Sequence, residues 1–290
     1  MKAADSVQNG PFSQTPWAMA RASSRVARAR RYIQAAVAGI ADPRLRQAVR
    51  EMLAAARGSG SSVRSLAAPG VRDRLDCTPA KLAAALPYDP TWAAPAAGPK
   101  SHHCYPGGWA LHTAINVRAA LSLARDVEET KQIRVDKESL VAAHILHDWA
   151  KLKLLVWSEE HALDADQGAG HHILALAESM MRDLPPAVVR LMAGVHSGWW
   201  REPDAVRRHL TQAADLIGLD LPRSPYGNAV GAAGGEGGPD PETWAVEGWI
   251  AHQAEASWYT ATRRAFQELQ ELVEEWHRVR GVEVALARVR

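Results

Sequence analysis

The segment His144-Ile145-Leu146-His147-Asp148-Trp149-Ala150-Lys151 sets two imidazoles, a carboxylate and an ammonium in an apolar run. If the run is helical, the adjacent His147 and Asp148 point about 100° apart. Both can still reach one metal ion, one through a nitrogen and the other through an oxygen. Lys151 follows His147 by one helical turn and could hold a phosphate oxygen. Burying a His-Asp pair without a partner is costly, so a ligand is expected there. Further residues of the same chemistry come in order. They are His112 after Gly107-Gly108-Trp109, the pair His171 and His172 after Gly170, His196 after Val195, and Asp215 within Ala213-Ala214-Asp215-Leu216-Ile217. Four imidazoles and two carboxylates match what two divalent ions need, with positions left open for water. His171 and His172 are alternatives for one place.

These residues fall on successive predicted helices. Amphipathic spacing predicts helices over 109–126, 137–157, 169–182, 186–197 and 204–219. Asp136 serves as a natural N-cap of the second, and the Pro185-Pro186 pair starts the fourth. Upstream, 1–16 reads as a flexible tail and 17–57 as helical, with a break at Asp42-Pro43. Residues 58–62 read as a loop and 79–86 as a weaker helix capped by Thr78. The Pro-rich stretch 87–100 is the expected linker. Downstream, the Gly-rich 227–241 precedes a long helix from about 242 to 280, whose Trp244, Trp249, Trp258 and Trp276 are expected to pack it onto the bundle. There is no alternating β-branched run long enough for a sheet and no internal repeat. The expected class is all-α: a tail at 1–16, a helical region at 17–98, and a bundle with its C-terminal helix at 99–290.

Composition narrows the function classes. The 290 residues carry 34 Lys and Arg against 32 Asp and Glu, a formal net charge of +2 that disfavours a nucleic-acid binder working by bulk electrostatics. Cys77 and Cys104 cannot form a disulfide framework, which fits a reducing cytoplasm. No apolar run reaches the length of a membrane span, and the polar N-terminus lacks the apolar core of a secretory signal. Ten of the twelve histidines lie between His102 and His209, so chemistry is expected in the middle of the chain.

The ordered set H…HD…H…H…D resembles the HD superfamily of metal-dependent phosphohydrolases over roughly residues 99–220. His102-His103-Cys104-Tyr105-Pro106-Gly107-Gly108-Trp109-Ala110-Leu111-His112-Thr113 resembles the HH-x-x-x-GG-x-x-x-HT opening of one branch. That branch contains bacterial 3′-to-5′ exoribonucleases and relaxase-associated HD proteins. His147-Asp148-Trp149-Ala150-Lys151 is similar to its HD-x-GK, with Ala150 where Gly is usual. Gly170-His171 and Val195-His196-Ser197-Gly198 fit its later histidine motifs. The resemblance implies an HD-type helical bundle and a metal-dependent phosphohydrolase. One or two divalent ions (Mn, Fe, Mg, Ni or Zn) would be bound by His112, His147, Asp148 and Asp215 on one side, and by His171 and His196 on the other, with Asp148 bridging. His172 stands as the alternative to His171. Lys151 would contact the substrate phosphate, His102 and His103 would assist in binding, and a metal-activated hydroxide would attack phosphorus. The implied substrate is a small phosphate ester such as a nucleotide.

Departures from the family limit this. There is no HHE…GYP signature, so cyclic di-nucleotide hydrolysis of that type is not expected. Residues 1–98 read helical, whereas the oligonucleotide-binding barrel of the exoribonucleases is β-rich, so RNA processing is not favoured. Two other readings use the same residues. One is an HD-type di-iron oxygenase with the same four-His, two-Asp set. Phosphonate-cleaving members carry a Tyr and a Glu before the first histidine; Tyr105 is present, but no Glu occurs between Lys100 and His112. The other is a non-catalytic HD module that binds a nucleotide or a partner, against which the intact ligand set argues.

Overall fold

The computed structural model describes residues 16–56, 90–97, 102–157, 163–165, 170–196, 203–227 and 246–256. The expected tail, the 58–62 loop, the 79–86 helix, the Gly-rich stretch from 228 onward and the chain beyond 256 lie outside them. The described residues form an all-α bundle with one short β-ribbon.

Three helices open it: α1 (Pro16–Ala22), α2 (Ser24–Ala38) and α3 (Pro43–Ala55). The chain breaks where its caps lie. Ser23 Oγ accepts from Val26 N, and Asp42 Oδ1 accepts from Arg44 N at 2.8 Å with Pro43 at the first helical position. After a 3-10 turn at Pro90–Ala93 come α4 (Gly108–Lys131) and α5 (Lys137–Leu146). Asp136 caps α5 through Ser139 N at 3.0 Å, as its sequence position predicts. Next are the four-residue α6 (Lys151–Leu154), β1 (Leu155–Trp157) and β2 (Leu163–Ala165). Then follow α7 (His171–Met181), α8 (Pro186–Gly194), α9 (Pro203–Ile217), a 3-10 turn at Leu221–Arg223, and α10 over residues 246–256.

Two features depart from expectation. The helix predicted over 137–157 stops at Leu146. The next hydrogen bonds run three residues back: Trp149 N to Leu146 O, Lys151 N to Asp148 O, and Leu152 N to Trp149 O. This tight winding turns the chain at His147–Ala150. Beyond it β1 pairs antiparallel with β2, Val156 opposite Asp164, where no strand was expected. The ribbon is only three residues long, too short for an alternation pattern to register.

One apolar core serves all the helices. Ile33 of α2, Met52 of α3, Trp109 and Val117 of α4, Leu140 and Ile145 of α5, Leu176 of α7, Leu191 of α8, Leu210 of α9 and Ile250 of α10 belong to a single buried cluster. α2 packs on α4, α3 and α8 pack on α5, and α7 packs on α9. The Trp149 indole donates to Met52 O at 2.6 Å, tying the His147–Ala150 turn to α3. Trp149 is therefore core. Trp249 is exposed on α10 and does not pack it down; Ile250, Ala251 and Ala254 do. Among the described residues, no helix is long and apolar enough to cross a membrane.

Candidate metal centre

The turn after α5 places Asp148 at the middle of a group of imidazoles. His112 lies in the second turn of α4, His171 and His172 open α7, and His196 follows the end of α8. Asp148 Oδ2 lies 2.8 Å from Lys151 Nζ, 3.2 Å from His112 Nε2 and 3.4 Å from His147 Nε2. Its other oxygen faces away: Oδ1 is 3.4 Å from His171 Nε2 and 3.7 Å from His196 Nε2. One carboxylate thus presents one oxygen to each of two clusters. Lys151 pairs with Asp148 across the turn, rather than simply sharing a helix face with His147.

A second carboxylate closes the first cluster. Glu255, on α10, has Oε2 3.4 Å from His112 Nε2 and 3.7 Å from His147 Nε2. Asn116, one turn after His112, donates to the same oxygen and lies 3.1 Å from His112 Nε2. The donor atoms of His112, His147 and Glu255 all lie within 4.8 Å of one another, and so do those of Asp148, His171, His172 and His196. His171 and His172 are not alternatives in space; both rings stand beside His196. His112, His147 and Asp148 are fully buried, whereas His171 and His196 are 26% exposed, so the cavity opens to solvent on the α7–α8 side.

The protonation pattern follows from these contacts. His147 Nδ1 lies 3.0 Å from the His144 carbonyl, which can only accept. The ring proton is therefore on Nδ1, and the Nε2 lone pair points into the cavity. Burial pulls the His112 imidazole down to about 3 against the opposing pull of Asp148, and lowers His147 and His172 as well. Burial alone would raise the Asp148 carboxyl, but His147, the Lys151 ammonium and the ring nitrogens of His112 and His171 beside it hold it well below the usual carboxylate range. Glu255 is pushed up to about 8 by burial and by the Asp148 charge.

The donor set fits a divalent ion. His147 Nε2, His171 Nε2, His196 Nε2 and Asp148 Oδ1 are buried without a hydrogen-bond partner among the described residues. Orphaned lone pairs facing one another in a desolvated space are costly. A cation bound between them removes that cost, and nitrogen with carboxylate oxygen suits a first-row divalent metal.

Of the residues singled out by sequence, the structure brings together His112, His147, Asp148, Lys151, His171, His172 and His196. His102 and His103 flank His112, with ring centroids 4.9 and 5.4 Å from it. Asp215 is not brought in. It is exposed on α9, whose buried stripe runs through Val206, Leu210, Ala213 and Ala214; Asp215 falls off that stripe. Sequence reasoning missed Asn116 and Glu255. The available signals were spacing: Asn116 is one turn from His112, and Glu255 is one turn from the buried Ala251. His144 is fully buried behind His147, with both ring nitrogens unpartnered among the described residues. His209 stacks on His172 at 5.9 Å, and His252 Nδ1 lies 3.0 Å from Val195 O, so these two back the α7–α8 wall. His161, His277, Trp199 and Trp200 lie outside the described residues.

Comparison with known proteins gives one anchor. A dihydroneopterin 2′,3′-cyclic phosphate phosphodiesterase of Methanocaldococcus jannaschii is 29% identical over 117 residues, covering 39% of this chain and 47% of that protein. The chain thus spans about half the length of the curated relative it matches. No protein-family model matches the chain, and no solved structure matches it.

Proposed function

We propose that the protein is a metal-dependent phosphohydrolase of HD type, acting on a phosphate ester of a nucleotide or related small molecule. The observation that carries this is the Asp148 carboxylate, which offers one oxygen to each of two imidazole clusters, with the Nε2 atoms of His147, His171 and His196 lacking a hydrogen-bond partner among the described residues. The similarity to a cyclic-phosphate phosphodiesterase supports the reaction class, and makes a phosphodiester the first substrate to try.

His112, His147, Glu255 and Asp148 Oδ2 would hold one divalent ion. Asp148 Oδ1, His171, His172 and His196 would hold a second. Such ions supply an activated water and polarise the phosphoryl oxygens. The remaining work falls to the chain's own groups. Lys151, held 2.8 Å from Asp148, carries the positive charge that meets a phosphate oxygen. The His144 carbonyl keeps the His147 proton on Nδ1. Asn116 orients Glu255. The partly exposed edge at His171 and His196 admits the substrate.

The test is to purify the full chain, count its metal ions, and assay bis(p-nitrophenyl) phosphate, p-nitrophenyl phosphate and 2′,3′-cyclic mononucleotides with wild type and Asp148→Ala. Hydrolysis that vanishes in the variant supports the proposal. Stoichiometric iron with oxygen uptake and no hydrolysis overturns it in favour of an oxygenase. Absence of both metal and turnover leaves a binding module.

A further inference from the structure

The loop that leads into α4 carries two imidazoles that the two ion positions above do not use. His102, His103 and His112 each offer a nitrogen, and these three atoms lie within 4.8 Å of one another. The rings of His102 and His103 stand edge-on at 5.4 Å, each facing His112. His112 turns Nε2 toward Asp148 and Glu255, and its Nδ1 has no hydrogen-bond partner among the described residues. Nδ1 is thus the atom His112 can offer on the loop side.

The loop is built to hold this arrangement. His103 sits in the left-handed region at φ 52°, a conformation that His, Asn and Asp enter more readily than other side chains. Its carbonyl is fixed by Ala96 N at 3.0 Å, and it presses so close to Gly108 that a Cβ there would collide with it. Gly107, at φ 83°, makes the turn into α4 against Val26. His103 is buried and His102 half-buried, so both bring their ring nitrogens into a largely desolvated space beside His112.

We propose that His102, His103 and His112 form a third metal position beside the two flanking Asp148. Three imidazole nitrogens without a carboxylate favour a borderline ion such as cobalt(II) or zinc over magnesium or calcium. An imidazole serving both sides does so as imidazolate, with its ring proton released to solvent. The proposal rests on the metal-centre reading of the neighbouring clusters only through the shared His112.

The experiment is to strip the full chain with a chelator, refill it with cobalt(II), and count bound cobalt by mass spectrometry of the metal. Wild type should hold about three ions per chain, and His102→Ala and His103→Asn about two each. Asn tolerates the left-handed backbone at position 103, and the half-buried His102 can be shortened without opening the core. Retention of the other two ions reports that each variant is folded. An unchanged ion count in both variants overturns the proposal, and unchanged counts with a raised KM make the pair phosphate ligands instead. Two ions in wild type and in both variants overturn this inference alone. No ion in wild type overturns the phosphohydrolase reading with it.

Discussion

Glu255 Oε2 lies 3.4 Å from His112 Nε2, joining the last described helix to the first histidine of the centre. No motif connects the two in sequence, yet under the proposed function Glu255 would take the place of the terminal Asp expected at 215. Glu255→Gln should therefore lose one bound ion per chain and most hydrolysis, while Asp215→Asn should change neither. Ion counts on the two variants decide it: a loss in Asp215→Asn with none in Glu255→Gln would restore the sequence-based assignment.

Lys151 is buried against Asp148, with its ammonium 2.8 Å from Oδ2. Lys151→Met keeps the apolar stem and removes the charge. Its expected effect is a fall of about 100-fold in kcat with the ions retained. Lys151→Arg should not rescue it, because a planar guanidinium does not fit a site shaped for a point charge. Full activity in Lys151→Met would remove the residue from the mechanism.

Acid should unfold the metal-free protein early. His112 titrates at about 3 in the fold against 6.5 unfolded, and burial also lowers His103, His144 and His147. The unfolded chain then binds more protons, so these groups' stabilisation is full above 6.5 and is lost as pH falls from 6.5 toward 3. Glu255 works the other way: its contribution is full below 4.5 and is lost as pH rises through about 8. Several histidines oppose one carboxyl, so the melting temperature of chelator-treated protein should drop between about pH 7 and pH 5. A flat profile would mean that the imidazoles are hydrated in the metal-free state.

Trp149→Phe should destabilise the fold without touching the centre directly. It removes the indole bond to Met52 O, although that carbonyl keeps its helical bond from Ala56 N. The expected cost is about 1–2 kcal/mol. Denaturant melts would show it, and a change above about 4 kcal/mol would mean the turn itself had collapsed.

The helices and most of the clustered residues were legible because their signals are local. Asp136 before an apolar run, Asp42-Pro43 and Pro185-Pro186 announce helix starts through capping chemistry. The ordered histidines declared themselves by residue type. The end of α5 at Leu146 was not legible, because His147–Lys151 keeps helical spacing while its hydrogen bonds tighten to three residues. Asp215 looked buried because apolar neighbours surround it in sequence, yet a rotation of about 100° per residue carries it off the stripe. Glu255 was invisible for the opposite reason, since a lone acid in a helix reads as a solvated face until the fold shows where that face points.

The docking of α10 also sets an order of events. Ribosomal synthesis delivers His112, His147 and Asp148 long before Glu255, so a nascent chain carries this nest of lone pairs with one wall missing. The pocket has its last wall only where the Ile250, Ala251 and Ala254 face is seated and Asn116 donates to the Glu255 carboxylate. The helix made last among the described elements is therefore the one that completes the pocket.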